Sequence, residues 1–132
     1  MGLSDVAAFK AAKTIIPADY AAATTNGVEV DTMGYHQALI VVNAGVITTT
    51  LDVHIEAATT SGGTFVDVTG AAFDQILAAG DEKVVVGRIN LDGTNRYIRA
   101  VGVSVGAANL YGVSIMLTPM FTGDGSTFDF EV

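Results

Sequence analysis

Cysteine and tryptophan are absent from this chain of 132 residues, and proline and histidine occur only twice each. Without cysteine there is no disulfide, no thiolate metal site and no cysteine nucleophile. A cysteine-free chain fits synthesis in a cytoplasm. Without tryptophan the commonest flat platform for a sugar ring is missing. Charge is scarce as well, at 15% of residues against roughly 25% in an ordinary soluble domain. Fourteen acidic and six basic residues leave a net charge of −8. The basic residues Lys10, Lys13, Lys83, Arg88, Arg96 and Arg99 are scattered along the chain. Nucleic-acid binding needs a basic patch to displace counterions, so no nucleic-acid partner is expected. Neither HExxH, GxSxG, GxGxxG nor a phosphate-binding P-loop occurs, and an enzyme or a cofactor site is not expected.

What the chain has instead is apolar and small residues: half of it is hydrophobic, and glycine occurs fifteen times. A domain of this size exposes much surface. With so few charges, part of that surface is expected to lie against other protein, which points to a homo-oligomer. Two long uncharged runs, 32–51 and 100–123, are interrupted by Gly34, Asn43, Gly45, Asn109 and Pro119 and alternate with a period of two. They read as β-structure and not as membrane spans. The first six residues carry neither a basic segment nor an apolar one, so they do not have the form of a signal peptide.

The strand signals are regular. Residues 37–43 hold the run Ala38-Leu39-Ile40-Val41-Val42, apolar on both faces, as expected of a central strand. In residues 50–57, Leu51, Val53 and Ile55 point one way and Asp52, His54 and Glu56 the other. A turn at 59–63 then leads into a return strand at 65–68, which makes a hairpin. Residues 73–77 are a short strand or a helical turn, and 83–91 a further strand. Residues 96–117 read as a hairpin, two alternating halves joined by Gly106-Ala107-Ala108-Asn109. Its small face, Ile98, Ala100, Gly102 and Ser104, suits close packing on a second sheet or a second subunit. About eight short strands with little helix predict an all-β fold, an antiparallel β-sandwich or jelly roll. The expected organisation is an N-terminal arm or short helix at 1–25, the sandwich at 26–119, and a tail or last strand at 120–132. Ser4 is placed to cap such a helix, although Lys13-Thr14-Ile15-Ile16 also fits a strand. The tail alternates Phe128, Phe130 and Val132 with acids, and either closes its own sandwich or adds to a neighbour's sheet edge.

His36 and His54 are the only histidines. Asp52, His54 and Glu56 share one strand face, at i, i+2 and i+4. They read as a solvated polar face and not as a metal site, since no spaced ligand array accompanies them. The Asp92-Gly93 and Asp124-Gly125 turns lack a calcium-binding array and read as tight turns.

One ordered set of segments has a likeness of its own. It comprises Val30-Asp31-Thr32-Met33-Gly34-Tyr35, residues 38–45, residues 60–68, Asn95-Arg96-Tyr97-Ile98-Arg99 and Tyr111-Gly112-Val113. Together these resemble small head proteins of tailed bacteriophages and prophages, over about residues 26–118. The resemblance implies a capsid decoration, or cement, protein: made in the host cytoplasm, carried as a trimer on the outside of the virion, and bound to the major capsid protein. The residues themselves give no reason to expect a cofactor, metal, nucleic acid or membrane beside that role. Within that role the N-terminal arm, with Phe9, Lys10, Lys13 and Ile15, is expected to meet the capsid. Ile98, Ala100, Phe121, Phe128 and Phe130 are expected at the subunit contact. Another head or tail component, or a carbohydrate-binding or host-adhesion module on the virion, are the alternatives.

Overall fold

β-Branched residues at alternate positions favour extended backbone, and nearly every such run is a strand. The computed structural model describes residues 9–119 and 129–132. Its strands are β1 Lys10–Asp19, β2 Ala23–Asn26, β3 Val30–Asp31, β4 Gln37–Ile47, β5 Thr50–Ala58, β6 Val66–Ala72, β7 Ile76–Leu77, β8 Lys83–Asn90, β9 Tyr97–Val105, β10 Asn109–Thr118 and β11 Phe130–Glu131. Among the described residues, helix is limited to two 3₁₀ turns, Ala78–Gly80 and Leu91–Gly93. The strands outnumber the expected eight because residues 10–19, 23–26 and 130–131 are also extended.

Two sheets result. The first has the order β1-β10-β4-β8-β11, and the second has the path β2-β9-β5-β6, with β3 also on β9 and β7 on β5. Every pairing is antiparallel except that of β11 with β8. The fold is an all-β sandwich. Its core lies between the sheets: Ile40, Val42, Ile89, Ile115 and Leu117 come from the first, and Leu51, Val53, Ile55, Ile98 and Ala100 from the second. Each fully buried branched side chain contributes about 1.5–3 kcal/mol of transfer free energy.

The expected 96–117 hairpin is not formed. β9 pairs with β5, β2 and β3, whereas β10 pairs with β4 and β1. Residues 106–108 carry the chain across the core, so the two strands face each other instead of lying side by side. The turn needs Gly106, whose φ of 112° is costly for other residues. The β4–β5 connection crosses at the same end, and fully buried Asn109 ties the two crossings together. Asn109 Oδ1 accepts from Thr48 N at 3.0 Å, and Nδ2 donates to the Tyr20 carbonyl at 3.0 Å. The facing arrangement explains the small residues of β9. A side chain at Gly102 would run into the Tyr111 hydroxyl.

Residues 10–19, expected as arm or helix, are strand β1 of the first sheet. Irregular pairing between Lys13 and Ala18 lets this strand bend, and Thr14 then spans the open side of the sandwich. Its hydroxyl donates to the Val28 carbonyl at 2.9 Å and accepts from Ala100 N at 3.0 Å. The 50–57/65–68 hairpin is formed as β5 and β6, with Glu56 opposite Asp67.

Candidate interaction faces

The two outward faces of the sandwich differ in chemistry. On the first sheet, β4 and β10 contain no charged residue at all. The pairing puts Leu39 beside Met116 and Arg88, Val41 beside Ser114 and Val86, and Asn43 beside Gly112 and Val84. These outward side chains form an apolar field, with Val84 58% exposed. Lys13, opposite Ser114, and Arg88, opposite Leu39, flank it. A shallow depression of about 340 Å³ between Pro17, Ala18, Asn43 and Leu110 continues the field at one end. The run 38–42 is apolar on both faces, as expected of a central strand. In a two-layer sandwich only one face is covered, which leaves Leu39 and Val41 outward.

The outward face of the second sheet carries a charged cluster beside the apolar Val101, Val103 and Val105, which lie opposite His54, Asp52 and Thr50. Asp52, His54 and Glu56 line β5, Arg99 lies opposite Glu56 on β9, and Asp67 opposite it on β6. Arg99 Nε and Nη2 donate to Glu56 Oε1 at 3.1 and 2.8 Å, and the guanidinium sits 4.2 Å from the centre of the Phe65 ring. His54 Nε2 is 3.5 Å from Glu56 Oε2 and 3.4 Å from Asp67 Oδ1. Asp52 is drawn away, accepting from Gln75 Nε2 at 2.9 Å. Beside this face, Glu29 Oε1 accepts from Ser61 Oγ and Gly62 N, both at 3.0 Å, and so fastens the 59–65 turn to the segment before β3.

At the end of the sandwich, Arg96 Nε and Nη2 donate to Asp31 Oδ1 and Oδ2, both at 2.8 Å. These bonds, with that from Met33 N, hold the Asp31 carboxyl down at about 2, below its ordinary 3.8. Burial raises the Tyr111 phenol above its ordinary 10.0. Thr25 opposes that rise in part, but no hydrogen bond of good geometry reaches the hydroxyl.

The expected contact residues fall in different places. Lys10 and Lys13 are exposed, and Phe9 is half-buried just before β1. Ile15 is buried in the chain's own core and has no surface to give a capsid. Ile98 and Ala100 are fully buried against the opposite sheet, which removes them as subunit contacts. Phe130 is buried too, with its ring edge-on to Phe73 at 4.9 Å, so this part of the tail packs on its own sandwich. Phe121 and Phe128 lie outside the described residues. Leu39, Val41, Val84, Val86 and Met116 were not singled out from the sequence. The available signal was a strand apolar on both faces in a chain long enough for only two layers.

An all-β sandwich with an uncharged field on one outer face and a charged cluster on the other is the class these features define. No protein-family model matches the chain, and neither does any curated protein. The fold is similar to that of SPBc2 prophage-derived protein YomS, with a TM-score of 0.56 and 11% identity over 83% of this chain and 91% of that one. At that identity the likeness is one of fold. Weaker likenesses are to the disulfide-linked pili of Bacillus endospore appendages (TM-score 0.45, 16% identity, 85% and 89% covered) and to PirA (0.41, 13%, 84% and 93%). At TM-scores under 0.5 neither of these two bears on function.

Proposed function

We propose that this chain is a structural component of a tailed-phage or prophage particle, and specifically a decoration protein that binds the outside of the capsid as an oligomer. The observation that carries this reading is the uncharged outer field of β4 and β10. Leu39, Val41, Val86 and Met116 keep part of their surface open there, and Val84 is 58% exposed; apolar surface without a charge on β4 and β10 suits cover by other protein. The ordered segments that resemble phage head proteins support the particle, as does the fold shared with a prophage-derived protein.

In this reading the apolar field meets a neighbouring subunit. A closed trimer then needs a heterologous contact, with the field of one copy against a different patch of the next. Phe9, Lys10 and Lys13, at the β1 margin of the field, meet the major capsid protein. The oligomer acts by mass action: it binds only the assembled shell and so stabilises that state. The test is to count copies of the protein in purified particles and to melt capsids with and without it. Many copies per capsid and a lower melting temperature in their absence are expected. A few copies at one vertex would sink the decoration role in favour of another head or tail component, and particles holding none would sink the particle role altogether. Clear hits on a glycan array would favour an adhesion module.

A further inference from the structure

We infer that the outer face of the second sheet holds a binding site for a first-row divalent cation, built by His54, Glu56 and Asp67. This is independent of the proposed role in a particle. The three ligand atoms lie within 4.8 Å of one another. His54 Nε2 stands 3.5 Å from Glu56 Oε2 and 3.4 Å from Asp67 Oδ1. Ligands about 2.0–2.1 Å from a tetrahedral zinc ion are separated by about 3.3 Å, so two of the three edges already fit. The third closes by movement of Asp67, whose side chain is 77% exposed.

The remaining neighbours prepare the site. Arg99 occupies only Oε1 of Glu56, which fixes the carboxylate and leaves Oε2 toward His54. An outer partner of this kind orients a metal ligand. His54 and Glu56 come from β5 in the middle of the sheet, and Asp67 comes from β6 on its edge. Binding would therefore also clamp the edge strand to its neighbour. One imidazole and two carboxylates suit zinc, manganese or cobalt better than the oxygen-seeking calcium and magnesium. The three protein ligands leave a fourth position for water or for a group from a partner.

Calorimetric titration of the full chain with zinc chloride tests this. A single site with a dissociation constant in the micromolar range is expected at neutral pH, about 100-fold tighter than for magnesium. His54→Ala and Asp67→Asn should each weaken it at least tenfold, while His36→Ala, which removes the other histidine, should leave it unchanged. Asp67→Asn alters an exposed side chain, so it keeps the test valid if the His54 variant misfolds. Cobalt should give the visible absorption of a four-coordinate ion, and Asp67→Asn should lose it. Binding should weaken in acid, because a protonated imidazole cannot ligate. Asp52 and Glu56 on β5, Asp67 on β6 and Arg99 on β9 are the charged groups that face His54. No zinc binding up to about 1 mM, or equal binding by the His54 and Asp67 variants, overturns the site.

Discussion

Tyr111 and Gly102 show at the scale of single residues how tightly the two sheets meet. The Tyr111 ring fills the space that a side chain at position 102 would need. Gly102→Ala should cost about 1–3 kcal/mol by overpacking, and less in a Tyr111→Phe background, where the hydroxyl is gone. Chemical denaturation of the two single variants and the double variant measures that coupling. Tyr111→Phe alone removes a buried hydroxyl without a good partner, so its stability at neutral pH should stay within about 1 kcal/mol of the parent or rise. The raised phenol pKa adds a pH signature. Its stabilising contribution is complete below pH 10, the ordinary value, and is lost as pH climbs toward the raised one. Tyr111→Phe should therefore lose less stability than the parent in alkaline melts. Asp31 has the opposite sign. Its carboxyl titrates at about 2 instead of 3.8, so its contribution is complete above pH 4 and lost as pH falls through 2. Melting curves of the parent and of Asp31→Asn should be separated above pH 4 and converge toward pH 2.

Among the elements, β1 matters most for closure. It is the edge strand of the first sheet, yet Thr14 reaches across to Val28 and to the β9 backbone at Ala100. Thr14→Val keeps the shape and leaves the buried Ala100 N–H without its partner. A loss of about 1–3 kcal/mol is expected, most of it regained by Thr14→Ser. Equal stability of the valine and serine variants in urea would show that the hydroxyl does nothing there. The same element shows how far local signals reach. Lys13-Thr14-Ile15-Ile16 was readable as a strand, but Ser4 and the alanines fitted a helix equally well. Only the pairing of Lys10–Asp19 with β10 decides between them. The β5–β6 hairpin was legible because a polar, glycine-containing turn joins two short alternating runs. The supposed β9–β10 hairpin shows the same alternation, which holds whether two strands bond edge to edge or face each other across a core.

For the whole molecule, the proposed oligomer puts the uncharged outer field at its subunit contact. Leu39→Lys with Val41→Lys places two charges in the uncharged field without touching the core. Light scattering should show the assembly falling to monomers, while the melting temperature of the monomer changes by a few degrees at most. An unchanged mass would mean that another surface holds the copies together. The amino-acid sequence by itself determined where most strands run, that the fold is all-β, and that too little charge exists to cover the surface. Alternation with a period of two is local and survives any arrangement of the strands. Only the tertiary structure decided that Ile98 and Ala100 look into the core while Leu39 and Val41 look out of it. It also decided that Asp67, and not Asp52, stands beside His54. These outcomes depend on pairing between residues far apart in the chain, and a local pattern carries no record of which strand becomes its neighbour.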